Sequence, residues 1–104
     1  MSGARRVVRA TASFFEDLDR QLGAERGTSG EPSSNDFQVF DLLRIVDWFA
    51  TSFDDLPELI PGRPDYRILI SVGMLVPRVA VLGQLAPDGA VELVQLDLDL
   101  DPGE

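Results

Sequence analysis

The chain has 104 residues, 44% of them apolar, and a formal net charge of −9, with neither histidine nor cysteine. That length fits one domain burying roughly two-thirds of the surface of its unfolded chain. The composition excludes disulfides, thiolate nucleophiles, the Ser-His and Cys-His arrangements of most hydrolases and, because all nine cations are arginine, a Schiff-base or P-loop lysine. No apolar run approaches the ~20 residues of a membrane-spanning helix and the start of the chain has no secretory apolar region, so a soluble cytoplasmic protein is expected, with no membrane contact. Residues 1–30 carry five Arg against four acids, whereas residues 31–104 carry four Arg against fourteen acids. A negative field of that size opposes approach to phosphate backbones and suits a basic protein partner.

Arg5 to Ala10 reads as a short strand, β-branched at its centre. Ser13 with Glu16 has capping-box spacing and opens a helix through about Leu22, with Phe14, Phe15, Leu18 and Leu22 on one face. Residues 23–34, GAERGTSGEPSS, form a flexible loop rich in Gly, Ser and Pro. Asn35 with Gln38 then opens a second helix, whose apolar stripe is Val39, Leu42, Leu43, Val46, Phe49, Ala50 and Phe53; Asp36, Asp41, Arg44 and Asp47 fall on its solvated side. Leu42, Leu43, Val46 and Phe49 are expected against a sheet.

After Pro57, Pro61 and Pro64 come three strand-like segments: 66–72 (YRILISV), 78–85 (RVAVLGQL) and 90–98, the last two joined by the turn residues Pro87-Asp88-Gly89. The order is strand, helix, helix, strand, strand, strand. It predicts a single α+β domain over 1–104, with two helices on one face of an antiparallel sheet, the last three strands forming a meander and the first pairing with one of them.

That order, with the stretch GRPDYRILISV, resembles the RelE/ParE superfamily of small bacterial toxins. Tyr66-Arg67-Ile68-Leu69-Ile70 is similar to the Tyr-Arg-aliphatic start of the family's second strand, and Arg9-Ala10-Thr11-Ala12 followed by Phe15-Glu16-Asp17-Leu18 to its first strand and helix. The resemblance implies a toxin-type component of a toxin-antitoxin pair, or a non-catalytic descendant, whose partner is an antitoxin-like chain or a cellular target. In the branch that cleaves ribosome-bound messenger RNA, Arg67 would stabilise developing phosphate charge, with Arg63, Arg78 and Tyr66 as further candidates. The competing reading of Arg67 is an exposed strand arginine paired with Asp65 or a cross-strand acid. The sequence departs from the RNA-cleaving members in having no lysine or histidine and in ending on DLDLDPGE, which disfavours that branch. A non-enzymatic acidic interaction module or small homodimer stands as the alternative.

The terminal stretch LVQLDLDLDPGE loosely echoes a calcium loop, but its glycine falls one residue late and the chain ends before the bidentate glutamate. Three acids on one exposed strand face do not make an acid and base pair across a cleft. Alternation explains the stretch: Leu96, Leu98 and Leu100 on one side, Asp97, Asp99 and Asp101 on the other, running into a short acidic tail at 99–104. No cofactor or metal is expected. Arg5, Arg6 and Arg9 are read as a basic patch that pairs within the chain or meets an acidic partner.

Overall fold

In chain order the elements are β1 (Val8–Ala10), α1 (Ala12–Gln21), α2 (Ser34–Ser52), a single 3-10 turn (Phe53–Asp55), β2 (Tyr66–Ser71), β3 (Arg78–Leu85) and β4 (Val91–Asp99). They are seen in a computed structural model that describes residues 5–25, 27, 32–73 and 76–99. Residues 26 and 28–31 of the loop expected at 23–34, and the tail beyond Asp99 with Leu100 and Asp101, lie outside the described residues.

The four strands form one sheet in the order β1-β4-β3-β2. β2, β3 and β4 are the expected antiparallel meander. The sheet as a whole is mixed rather than antiparallel, because β1 runs parallel to β4, with Val8 opposite Val91 and Ala10 opposite Leu93. Chain direction explains this. α1 continues along β4 where β1 stops: Thr11 is hydrogen-bonded to Leu93 and Gln21 to Leu98. α2 returns, ending beside the start of β1, where the Arg6 N–H donates to the Ala50 carbonyl at 2.9 Å. β2 therefore starts from the same end as β1, and two hairpin reversals give β4 that direction too.

The contact between α1 and β4 replaces a strand pair. Ser13 Oγ donates to the Val94 carbonyl (2.8 Å), Asp17 Oδ2 accepts from the Leu96 N–H (3.0 Å), and Gln21 donates to the Leu96 carbonyl (2.8 Å) while accepting from the Leu98 N–H (2.6 Å). Four helical residues rise about 6 Å and two strand residues about 6.7 Å, so side chains at 13, 17 and 21 meet successive edge-facing groups of β4. The opposite side of α1 buries Phe14, Leu18 and Leu22 in the core. Its N-cap is Thr11 rather than Ser13. The Thr11 hydroxyl accepts from the Phe14 N–H and donates to the Leu93 carbonyl, so it fastens helix start and sheet together.

The cap of α2 lies two residues earlier than expected. Ser33 and Asp36 form a reciprocal capping box, in place of Asn35 and Gln38. The buried face is Phe37, Asp41, Ile45, Phe49 and Ala50. Of the four residues expected to be buried, Phe49 is in the core, Leu42 and Val46 are partly buried, and Leu43 is 66% exposed; Val39 is also exposed. Asp41, assigned to the solvated side, is only 1% exposed. The helix is apolar almost all round at Val39, Phe40, Leu42, Leu43, Ile45, Val46, Trp48 and Phe49, and the packing against β2 and β3 selects the face that periodicity leaves undecided.

A bulge sets the phase of β4. Leu82 pairs with Gln95 and Gly83 with Leu93, leaving Val94 as the extra residue. Leu93 and Leu96 consequently both reach the core, although three positions apart they would point to opposite faces of a regular strand. Gly83 lies under the Phe49 ring so closely that a Cβ there would sit 2.5 Å from its Cε1 atom. From the bulge onward the expected alternation holds: Leu96 and Leu98 are buried, Asp97 and Asp99 exposed. In the β3–β4 turn Gly89 adopts φ 91°, in the left-handed region that suits glycine, and the Asp88 carboxylate accepts from the Ala90 N–H.

Candidate interaction site

Arg63, Tyr66 and Arg67 gather at the start of β2. Arg78 lies at the far end of the β2–β3 pair, because Tyr66 is opposite Gln84 while Val79, the residue after Arg78, is opposite Ser71. Five strand steps of about 3.4 Å separate the two ends, roughly 17 Å, so the four candidates do not converge on one phosphate-sized site.

The Arg67 guanidinium turns back under the chain. It donates to the carbonyls of Pro64 (2.7 Å), Leu56 (2.8 Å) and Asp54 (3.2 Å), and its cationic carbon lies 5.6 Å from the centre of the Phe53 ring. Neither Asp65 nor a cross-strand acid is its partner. A planar fork with several donors is the group able to bind three carbonyls from different turns, and here it joins the end of α2 to the edge of β2. Asp65 is taken by Arg63 in a two-pronged pair at 3.0 and 3.1 Å, and the same guanidinium lies 4.8 Å over the Tyr66 ring. The pairing raises the Arg63 pKa and lowers that of Asp65.

The N-terminal arginines are likewise paired within the chain. Arg5 meets Asp47 at 2.6 Å, Arg6 meets Asp54 at 3.2 Å, and Arg9 spans Asp88 (3.0 Å) and Glu92 (3.3 Å). Arg9 is raised by its hydrogen bond to Asp88, and Asp88 is lowered by the same contact. These exposed pairs are each worth little in stability. Their effect is to leave the face around β4 without unpaired arginine at its β1 side.

The side of the sheet away from the helices is uncovered among the described residues. It presents Ile68 and Ile70 of β2, Ala80 and Leu82 of β3, and Gln95, Asp97 and Asp99 of β4. Leu59 folds onto its rim, and a cleft of about 350 Å³ lies between Leu59, Ile68, Ala80, Leu82, Gln95 and Asp97. Ile70 is 53% and Val72 71% exposed. The middle of β2, Ile68 to Ile70, and the facing stretch of β3, Val79 to Leu82, are thus aliphatic on both faces, with Arg78 opposite Asp99 at the far end, a pattern ordinarily found in strands covered on both sides. The sequence signal was the unbroken run Ile68-Leu69-Ile70, which does not alternate as Leu96-Asp97-Leu98-Asp99 does.

Among the described residues no group of three acids is placed to hold a metal ion, and no helix is long and apolar enough to cross a membrane. No protein-family model, curated protein or solved structure matches this chain.

Proposed function

We propose that the chain acts by binding another protein on the open face of its sheet, as a RelE/ParE-like toxin-type component of a toxin-antitoxin pair or a non-catalytic descendant of one. The observation that carries this reading is the aliphatic open face. Ile68, Ile70, Val72 and Leu82 gain nothing from water, and a patch of this kind with acids at its border marks a surface that another chain covers. The strand, helix, helix, three-strand order supports the family side of the proposal. The engagement of Arg67 with three backbone carbonyls supports the non-catalytic side, since a guanidinium so committed has few donors left for a phosphate.

Expression in bacteria tests the toxin reading: growth arrest is expected, relieved by Leu82→Asp, which places a charge in the open cleft without touching the core. Silent expression of folded protein overturns it. An acidic interaction module with no toxin role is the second reading, favoured by Asp97 and Asp99 on the same face, and it predicts partner capture without arrest. If purified protein added to programmed ribosomes cuts the messenger, the non-catalytic reading fails.

A further inference from the structure

The outer edge of β2 is half covered by the chain itself. The Ile68 N–H donates to the Pro57 carbonyl (3.0 Å), the Leu59 N–H donates to the Tyr66 carbonyl (3.2 Å), and Glu58 is bridged antiparallel to Arg67. Residues 57–59 therefore act as a short extra strand over the first half of β2. Beyond Ile68, among the described residues, nothing pairs with this edge. Outward-facing backbone groups recur at every second residue, so the next N–H and carbonyl in line are those of Ile70. Beside them runs a groove of about 320 Å³ walled by Trp48, Leu56, Pro57 and Ile70, with Asp55 at its rim.

We propose that an extended segment of a partner chain, alternating aliphatic residues with lysine or arginine, adds antiparallel to β2 at Ile70 and continues the line that residues 57–59 begin. The edge already accepts an extended antiparallel segment over its first half, so the second half offers the same geometry to another chain. Aliphatic side chains on the helix side of the added strand would meet Trp48 and Leu56. Charge selects the rest. Antiparallel addition brings the C-terminal end of the partner strand against Pro57, where Asp54, Asp55 and Glu58 cluster; among the described residues only Asp54 is ion-paired, to Arg6. A second copy of this chain would bring the same acids and a net charge of −9 to the contact, which disfavours self-association there. The proposal rests on the protein-binding reading but uses the outer edge of β2, which shares Ile68 and Ile70 with the open face and does not include Leu82, so Leu82→Asp, which tests the open cleft, leaves it intact.

Trp48 is the only tryptophan in the chain and walls the groove, so its emission reports occupancy. The probe is an end-capped six-residue peptide alternating valine and lysine, titrated to about 1 mM. A saturable change in Trp48 emission is expected, with the Ile70 amide protected from hydrogen exchange in the complex. N-methylation of the peptide amides that face β2 should weaken binding at least about tenfold, because the donors are lost without altering the protein. Asp55→Asn should weaken it roughly two- to fivefold, as for an exposed ion pair. A flat titration overturns the proposal. Undiminished binding of the methylated peptide overturns strand addition, and equal binding of a valine-glutamate peptide overturns the basic partner. Peptide binding without growth arrest sinks the toxin reading and leaves this inference standing.

Discussion

Gln21→Ala tests whether α1 stands in for a strand at the edge of β4. The Gln21 amide accepts from the Leu98 N–H and donates to the Leu96 carbonyl, at 2.6 and 2.8 Å, and also donates to the Asp17 carbonyl of its own helix. Only the first two are at stake for the sheet. Each such bond contributes about 0.5–1.5 kcal/mol net, and its loss costs more where the abandoned group is shielded from water. Alanine is the better helix former by a few tenths of a kcal/mol and offsets a little of this. The expected loss is about 2 kcal/mol, a large fraction of the ~5–15 kcal/mol that holds a domain together. In equilibrium urea unfolding the midpoint should fall by roughly 1–2 M with the slope unchanged, and the thermal midpoint by roughly 10 °C. Asp19→Ala, on the exposed side of the same helix, is the control and should stay within about 0.5 kcal/mol of the parent. If Gln21→Ala is as mild as Asp19→Ala, water serves the β4 edge as well as the helix does and the reasoning fails.

Asp17 gives the same contact a pH dependence. Burial alone would raise its pKa, but the bond from the Leu96 N–H and the pairing with Arg20 together hold it below the ordinary 3.8. A folded-state pKa depressed in this way adds stability that is fully present above about 3.8 and lost as pH falls through the folded value. Asp17→Asn should therefore flatten the acid limb of the stability curve, and an unchanged limb would show that other carboxylates dominate it. Arg67→Lys should destabilise the fold by about 1–3 kcal/mol, nearly as much as Arg67→Ala, since one ammonium cannot span three carbonyls; faster amide exchange at Leu59 and Ile68 is the accompanying readout. Gly83→Ala should cost about 1–3 kcal/mol through overlap with Phe49, and adding Phe49→Leu should make the pair less damaging than the sum of the two single changes.

What the sequence revealed and what it hid divide along a physical line. The strand segments, their meander and the inward leucines of β4 are local consequences of β-branching, turn residues and alternation, and these are legible. The helix starts were displaced by two residues each, because Thr11-Ala12-Ser13 and Ser33-Ser34-Asn35 offer several capping side chains in a row. The choice falls to tertiary contacts, such as the Thr11 hydroxyl reaching the Leu93 carbonyl. The face of α2 was hidden for the opposite reason, an excess of apolar residues round the helix, and the burial of Asp41 has no sequence signal at all. The Tyr-Arg pair drew attention to the start of β2, yet no local pattern announces that the Arg67 side chain would fold back on Asp54, Leu56 and Pro64. The Ile68-Leu69-Ile70 run held the open face in plain view as a strand that fails to alternate.

The seam between α1 and β4 joins two rulers with different graduations. Each matched step of about 6 Å on the helix falls short of its counterpart on the strand by about 0.7 Å. Starting in register at Ser13, the lag is about 0.7 Å at Asp17 and about 1.4 Å at Gln21. The side chains lengthen in the same order, serine, aspartate, glutamine, each reaching further than the last. A fourth rung would lag by about 2 Å, and the helix ends at Gln21. Over the three rungs from Ser13 to Gln21 the growing side chains absorb the drift, and α1 stays within hydrogen-bonding reach of β4 along its length.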